Sequence, residues 1–568
     1  MTKRILALLS CVLCSIPSFA QSVQTSVLDT SCLETYIVAD VSLRQVRQLD
    51  SLFHVDYAAK TDEDCATVRM CLAKREYADF LALGIPFTVP AQSRTAVCMA
   101  HSYEQFVASW NRYPDYNTYL SILDTFQQRY PDLCRIETLI DHTPGGHSLR
   151  IAHISNNLSD RGEKPAFLYT STMHGDEVTG YYVLLRLINH LLANYSVDER
   201  VRGLVDSIDI WICPLENPDG TFRTSNDSLN ESPYSTRLNY YGEDLNRSYP
   251  QIGEPLARNR NRQPEVQAMM DLAAQCRFTM SANLHGGAEV FNYPWDLWTT
   301  DERAIADHQW WELVGSRFAA TCHETDSYYM TDLDNGITEG GDWYAISGSR
   351  QDYFNYFAGC REATIEISAN KVTSSNALNR FWLKLKASLL DYMNESLYGI
   401  RGIVTDTLTG EAIEAKVFIQ NHDRDSTHTY SLLPYGNYHR PVKAGTYTVT
   451  FSAPDYQSKT LTIPVNDRQT TCIDVQLMPL NSHIPETDAP AFVLFPNPSS
   501  GILFVTSMAM PPHLFDFLIF DSQGRQIYSA ELESGTSTLN ISSLSAGVYV
   551  IHIMDGSSRI YQTKIVKR

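Results

Sequence analysis

The pattern of apolar and polar positions divides the chain into segments of different periodicity. Between residues 21 and 100, strand-like runs at 35–38, near Val55, near Val68 and at 86–89 are separated by helical spacing over 42–53 and 74–83. Alternation with period two predicts strands, and apolar recurrence at three and four residues predicts helices. The segment therefore predicts strand, helix, two strands, helix, strand, the order of a small ferredoxin-like α+β unit. Residues 101–396 change to apolar runs at 164–170, 208–213 and 279–284 that alternate with helical spacing at 180–195 and 263–276, which predicts an α/β domain. From 397 to 480 the runs are short and punctuated by turn residues, as in a β-sandwich. A polar, Pro-containing linker over 481–492 leads to a last β-rich module, 493–568.

Residues 1–20 stand apart. Lys3 and Arg4 precede an apolar run that ends in Ser18-Phe-Ala20, the pattern of a signal peptide, so export through the inner membrane is expected. No later run of about 20 apolar residues predicts a membrane-spanning helix. At 568 residues the chain exceeds a single core, and its formal charge of −20 argues against nucleic acid and mildly favours basic ligands. Of twelve cysteines, Cys11 and Cys14 would leave with the leader. In an oxidising compartment some of the others are expected to pair, although spacing does not define which.

Chemistry concentrates at the ends of the predicted strands. Ser171-Thr-Met-His-Gly-Asp-Glu-Val178 follows one apolar run, and Ser281-Ala-Asn-Leu-His-Gly-Gly287 closes another. His174, Glu177 and His285 together make the nitrogen and oxygen set that zinc favours, with a fourth position left for water. Between Asn217-Pro-Asp-Gly220 and Asn259 lies a long polar stretch with little periodicity, which is uncommon in a compact domain unless it works at a site.

The ordered set of His174/Glu177, Asn217-Pro-Asp-Gly220, Asp244-Leu-Asn-Arg247, Asn283-Leu-His-Gly-Gly287, Asn292-Tyr-Pro-Trp-Asp296 and Ala363-Thr-Ile-Glu-Ile-Ser368 resembles the zinc metallocarboxypeptidases. Gly336-Ile-Thr-Glu-Gly340 and the run from Trp343 to Tyr353 narrow the resemblance to the regulatory, carboxypeptidase E/N/D-like branch. It implies an α/β fold, a mixed sheet flanked by helices, with an N-terminal α+β domain (21–100), a catalytic domain (101–396) and two C-terminal β-sandwich domains. The first of these, 397–480, resembles the transthyretin-like domain of that branch. The second, 493–568, with Phe495-Pro-Asn-Pro-Ser-Ser-Gly501 and a basic end, resembles the sorting domain of type IX secretion, which implies that secretion machinery as a partner and a destination outside the outer membrane or at the cell surface.

The resemblance implies one Zn²⁺ held by His174, Glu177 and His285, with Glu366 as general base toward a zinc-activated water and Arg237 polarising the scissile carbonyl. Asn246 and Arg247 would clamp the substrate's terminal carboxylate, and Tyr344 would close over it. Asp296 and Gln351 would receive a terminal Lys or Arg side chain, so peptides and proteins ending in those residues are the expected substrates. Asp176 departs from the branch, which more often carries Asn there, and Ser248 stands where Asn is usual. The N-terminal unit is either a pro-segment that blocks the site or a stabilising domain. Two competing readings are a cell-wall peptide hydrolase on the same fold and a non-catalytic surface binding protein.

Overall fold

The computed structural model describes residues 28, 34–62, 64–90, 97–229, 235–254, 262–480, 492–507, 514–556 and 558–568; the expected leader and residues 481–491 of the expected linker lie outside them. The described residues fall into two units, one up to Met478 and one from Pro479 on.

The first unit begins with β1 (Glu34–Ser42), α1 (Leu43–Leu52), β2 (His54–Lys60), β3 (Cys65–Ala73) and α2 (Tyr77–Ala82). Ser42 starts α1 because its backbone N–H donates to Gln45 Oε1 at 2.9 Å, meeting a donor that the helix itself leaves unpaired. The strands form an antiparallel sheet in the order β1-β3-β2. The expected strand at 86–89 is reduced to a single bridge, Thr88 with Val38. Pro86 and Pro90 on either side lack the N–H groups that would extend it. Phe80 packs edge-to-face on Phe53 and Phe87, with ring centroids 5.6 and 5.5 Å apart, and closes this small core.

The central sheet has eight strands: β4 (Cys134–Ile140), β5 (Leu149–Ile154), β6 (Ala166–Ser171), β7 (Asp209–Cys213), β8 (Met280–His285), β9 (Ala288–Tyr293), β10 (Ile337–Glu339) and β11 (Arg361–Ser368). Their order is β10-β9-β11-β8-β6-β7-β5-β4. The four central strands, β11, β8, β6 and β7, are parallel, whereas β9, β5 and β4 join antiparallel, so the sheet is mixed. All six residues of β6 are buried, because helices cover both faces. Phe167 and Tyr169 face a core shared with α3 (Thr179–Asn194) and α5 (Leu378–Glu395), whereas Leu168 faces one shared with α4 (Pro264–Cys276). The period of two sends alternate residues to opposite faces.

Residues 399–478 form two sheets around the core of Val404, Val417, Val449, Phe451 and Leu477. One is built on β12 (Gly399–Asp406), the other on β13 (Gly445–Ser452) between Lys416–Ile419 and Lys459–Val465. A buried ionic cluster fastens this domain to the catalytic one. Arg440 forks onto Asp307 at 3.0 and 2.9 Å, Arg361 reaches Asp307 at 3.0 Å, and Arg440 also reaches Asp423. Asp307, His422 and Asp423 also approach as a metal-ligand set would, but the two guanidinium groups already satisfy the acids. Asp307→Ala leaves two buried cations short of a partner and is expected to lower the unfolding free energy of this unit by about 3–5 kcal/mol, read from the denaturant midpoint.

The unit from Pro479 on holds its own core, Leu503, Phe517, Ile519, Ile551 and Ile565, between a three-stranded and a four-stranded antiparallel sheet. The nine described cysteines are free thiols, contrary to the expectation of pairing. Cys134, Cys213, Cys276, Cys322 and Cys360 are instead buried and packed as small apolar groups.

Candidate active site

The parallel strands end at one edge of the sheet, and the ends of three neighbours converge there. His285 is the last residue of β8, and in register its partner across β11 is Glu366. On the other side Leu284 is paired with Ser171, the last residue of β6. The chain leaves β6 through Thr172, whose φ of 61° is rare for a β-branched residue, and turns back so that His174 and Glu177 face His285. Thr172 Oγ1 donates to the Glu177 carbonyl at 3.2 Å and its own carbonyl accepts from Asn217 N–H at 3.1 Å, which holds the turn. Gly175 is required by close approach: a Cβ there would lie 2.4 Å from the Gly220 backbone.

His174, Glu177 and His285 are buried, and their ligand atoms lie within 4.8 Å of one another. Both imidazoles turn Nδ1 toward the carboxylate, at 3.1 Å for His174 and 2.9 Å for His285. The outward nitrogens have polar neighbours behind them: His174 Nε2 lies 3.1 Å from Asp244 Oδ1, and His285 Nε2 lies 2.8 Å from the Asn283 side-chain amide. Two inward nitrogens and a carboxylate, each oriented by an outer neighbour, fit a zinc ion. Burial lowers the His285 pKa to about 4, keeping it in the neutral form that binds metal. In the sequence, the only signal for Asp244 and Asn283 is membership of the Asp-Leu-Asn-Arg and Asn-Leu-His-Gly-Gly motifs.

Glu366 Oε2 is enclosed and has no hydrogen-bond partner among the described residues. Desolvation, reinforced by the Glu177 charge, raises its pKa well above the usual carboxylate range. Arg237, 2% exposed, donates through Nε to Asp244 at 3.0 Å, and its Nη1 lies 3.3 Å from Glu177. Asn246 is oriented by Arg350 N–H, which donates to its Oδ1 at 2.9 Å and leaves the NH₂ group for another partner. Gln351 is pinned in the same way: its Oε1 accepts from Thr364 N–H at 2.7 Å and its Nε2 donates to Asp296 Oδ1 at 2.9 Å. Asp352, also unassigned in the sequence, accepts from the backbone N–H groups of Asp296 and Leu297 at 2.8 and 3.0 Å and so fixes the turn carrying Asp296.

The N-terminal unit enters this site. Asp50 of α1 accepts from Arg247 Nε at 2.9 Å, and the Val55 carbonyl accepts from Arg247 Nη2 at 2.8 Å. Asp56 of β2 accepts from Arg237 Nη1 at 2.5 Å, from Arg69 Nε at 2.5 Å and from Lys371 Nζ at 2.7 Å. Burial opposes ionisation of Asp56, yet the combined charges of Arg69, Lys371 and Arg237 hold its pKa well below the usual range. Tyr344 donates its hydroxyl to the Asp56 carbonyl at 3.1 Å, and Trp343 Nε1 donates to the Ala58 carbonyl at 3.1 Å. Asp176 is taken up by the Tyr36 hydroxyl at 2.5 Å. The cavity left at the site, lined by His174, Glu177, Arg247, Asp296 and Glu366, measures about 30 Å³, room for a water and not for an amino acid.

Comparison with known proteins supports the same assignment. Residues 119–388 match the family described as zinc carboxypeptidase, 399–478 the carboxypeptidase regulatory-like domain, and 493–568 the secretion system C-terminal sorting domain, here of the type IX kind. The chain is 33% identical over 367 residues to carboxypeptidase SOL1 of Arabidopsis thaliana, covering 63% of this chain and 70% of that protein. It is 30% identical to the carboxypeptidase N catalytic chain of Rattus norvegicus, covering 64% of this chain and 86% of the relative. It is also 30% identical to carboxypeptidase D of Mus musculus, covering 65% of this chain but only 27% of that longer protein. With ordered motifs, a zinc-compatible donor set at the sheet edge and relatives matched over most of their length, the chain belongs to the zinc carboxypeptidase family and is a metallocarboxypeptidase.

Proposed function

We propose that this metallocarboxypeptidase removes C-terminal Lys or Arg from peptides outside the cell, and that the conformation described is its latent form. The observation that carries the exopeptidase reading and the latent form is the contact of Asp50 with Arg247: the residue proposed to clamp a substrate's terminal carboxylate already holds a carboxylate, supplied by the chain itself. The sorting domain and the expected leader support delivery beyond the outer membrane, and among the described residues no helix is long and apolar enough to cross a membrane.

When bound at His174, Glu177 and His285, zinc supplies Lewis-acid polarisation of water and of the scissile carbonyl. The remaining steps belong to side chains. Asn246 and Arg247 hold the α-carboxylate, which restricts attack to the last peptide bond. Glu366 takes the proton of the attacking water and passes it to the leaving amine, and its raised pKa suits both tasks. Arg237 stabilises the oxyanion that develops at the carbonyl. Tyr344 closes over the bound terminus once its hydroxyl is free of Asp56.

Asp296, buried and positioned by Gln351 and Asp352, sets specificity for a cation. Asp296→Ala is expected to lower kcat/KM for Lys- and Arg-terminated peptides about a hundredfold and to leave norleucine-terminated ones nearly unchanged. Release of Leu or Phe in preference to Lys and Arg by the wild-type chain would refute the specificity.

The same residue predicts a pH dependence. Burial, partly offset by hydrogen bonds from Ser349 and Asn292 and by the Arg247 charge, raises the Asp296 pKa to about 6, with Glu339 adding to the rise. The charged form is lost as pH falls through that value. The ratio of kcat/KM for Lys over norleucine termini is therefore expected to fall between pH 7 and pH 5. Using the ratio cancels the titration of groups that both substrates share.

A further inference from the structure

The loop that carries Arg237, Asn246 and Arg247 closes on one buried side chain. Asn239, 1% exposed, accepts through Oδ1 from the backbone N–H groups of Tyr241 and Glu243 at 3.0 and 3.1 Å. Its own N–H donates to the Glu243 carbonyl at 3.0 Å, and its carbonyl accepts from Gly242 N–H at 3.0 Å. Tyr240 and Tyr241, inside the turn so formed, are exposed, so Asn239 is the point at which the turn is tied to the interior. The turn begins two residues after Arg237 and ends one before Asp244, whose carboxylate accepts from Arg237 Nε and lies beside His174. Asn246 and Arg247 follow directly.

Asn239 is itself held from the start of α4. Its Nδ2 donates to Gln263 Oε1 at 2.9 Å and to Glu265 Oε2 at 3.2 Å. Glu265 is fully buried, and no donor among the described residues reaches its Oε1. Burying a carboxyl is costly unless a partner matches it, and Asn239 is the partner here. Burial raises the Glu265 pKa to about 7, and the neutral acid still accepts through a carbonyl oxygen, so the brace does not depend on ionisation. In the docked form the N-terminal unit grips the same loop: Glu34 accepts from Arg237 N–H at 2.9 Å, and Arg75 donates to the Tyr241 and Gly242 carbonyls at 3.0 and 2.7 Å. Those contacts leave with that unit, whereas Gln263 and Glu265 stay. We infer that Glu265 is a positioning residue for the peptidase reaction: through Asn239 it fixes the turn 239–243, and so sets Arg237 toward the scissile carbonyl and Asn246 and Arg247 toward the terminal carboxylate when the N-terminal unit is no longer docked. The inference rests on the roles proposed for those three residues.

The test uses the full-length, zinc-loaded chain, in the wild-type background and in an Asp50→Asn/Asp56→Asn background in which the N-terminal unit is loosened. kcat and KM are measured for Lys-terminated peptides. Glu265→Leu, similar in size but without an acceptor, is expected to lower kcat/KM about tenfold or more in the loosened background, with kcat falling and KM rising together, because one turn serves both the oxyanion and the carboxylate contacts. Glu265→Gln, which keeps an acceptor, is expected to stay within about threefold of its background. Asn239→Leu breaks the same link from the other side, and the Asn239→Leu/Glu265→Leu chain is expected to be no worse than Asn239→Leu, as for residues that act through one another. Unchanged constants in Glu265→Leu, additive losses in the double variant, or a fall in kcat at unchanged KM that tracks a lower denaturant midpoint, each with Arg237→Ala still lowering kcat, overturns the role of Glu265 alone. An Arg237→Ala chain with undiminished kcat overturns the proposed role of the loop and this inference with it.

Discussion

The full-length chain carrying Asp50→Asn and Asp56→Asn is expected to release C-terminal lysine about a hundredfold faster than the wild-type chain, or more. Asp50 holds Arg247, and Asp56 is shared among Arg237, Arg69 and Lys371. Both carboxylates are buried in the docked state. Removing one partner of a buried ion pair costs about 3–5 kcal/mol because the other charge is left unpaired. That penalty falls on the docked form alone, since in the undocked form the same cations are solvated. One such loss shifts docking by two to three orders of magnitude, at about 1.4 kcal/mol per factor of ten. A useful control is Arg47→Ala, which breaks an exposed pair with Glu302 at the rim. Exposed pairs contribute little, so this variant is expected to stay within about threefold of wild type. If the double variant binds zinc and works no faster than wild type, residues 34–90 stabilise the enzyme without restraining it.

In that opened background, Glu366→Gln is expected to reduce kcat about 10²–10⁴-fold while zinc content and KM for Lys-terminated peptides change little. Glutamine keeps the shape of the side chain and removes its capacity to take a proton. The carboxyl is enclosed, with one oxygen unpartnered, beside His285 across the sheet register. A structural role would make the variant lose metal or melt early, whereas a role in proton transfer moves kcat alone. Retention of normal kcat would remove Glu366 from the mechanism.

How much of this was legible before the fold was known varies with the distance over which each residue acts. His174 and Glu177 lie three residues apart in one loop, so their shared geometry is local. The strand ending at His285 is announced by an apolar run, and the pairing of that strand with β6 and β11 follows the rules of open α/β sheets. Asp244 and Asn283 are different. Each lies behind a candidate ligand, and only the folded contact distinguishes that from an ordinary loop or strand residue. The expected strand at 86–89 shrank to one bridge because its prolines remove donors, a local fact whose consequence depends on a partner strand. Among the described residues the cysteines are unpaired, and Cys134, Cys322 and Cys360 pack in apolar cores as thiols.

By itself the sequence determined the family, the order of its modules, and the zinc-ligand and substrate-clamp candidates, because those rest on motifs whose members are close together or follow one another in a set order. Only the tertiary structure decided what meets those residues. Asp50 has the pattern of a polar residue on an amphipathic helix and Asp56 that of a polar residue on a strand, and nothing near either in sequence points to Arg247 or Arg237, about 180 to 200 positions away. The reason is physical: a buried carboxylate is tolerable only where cations surround it, and here those cations come from the 237–247 loop, from Lys371 and from Arg69, segments that become neighbours only when the small domain docks on the sheet edge.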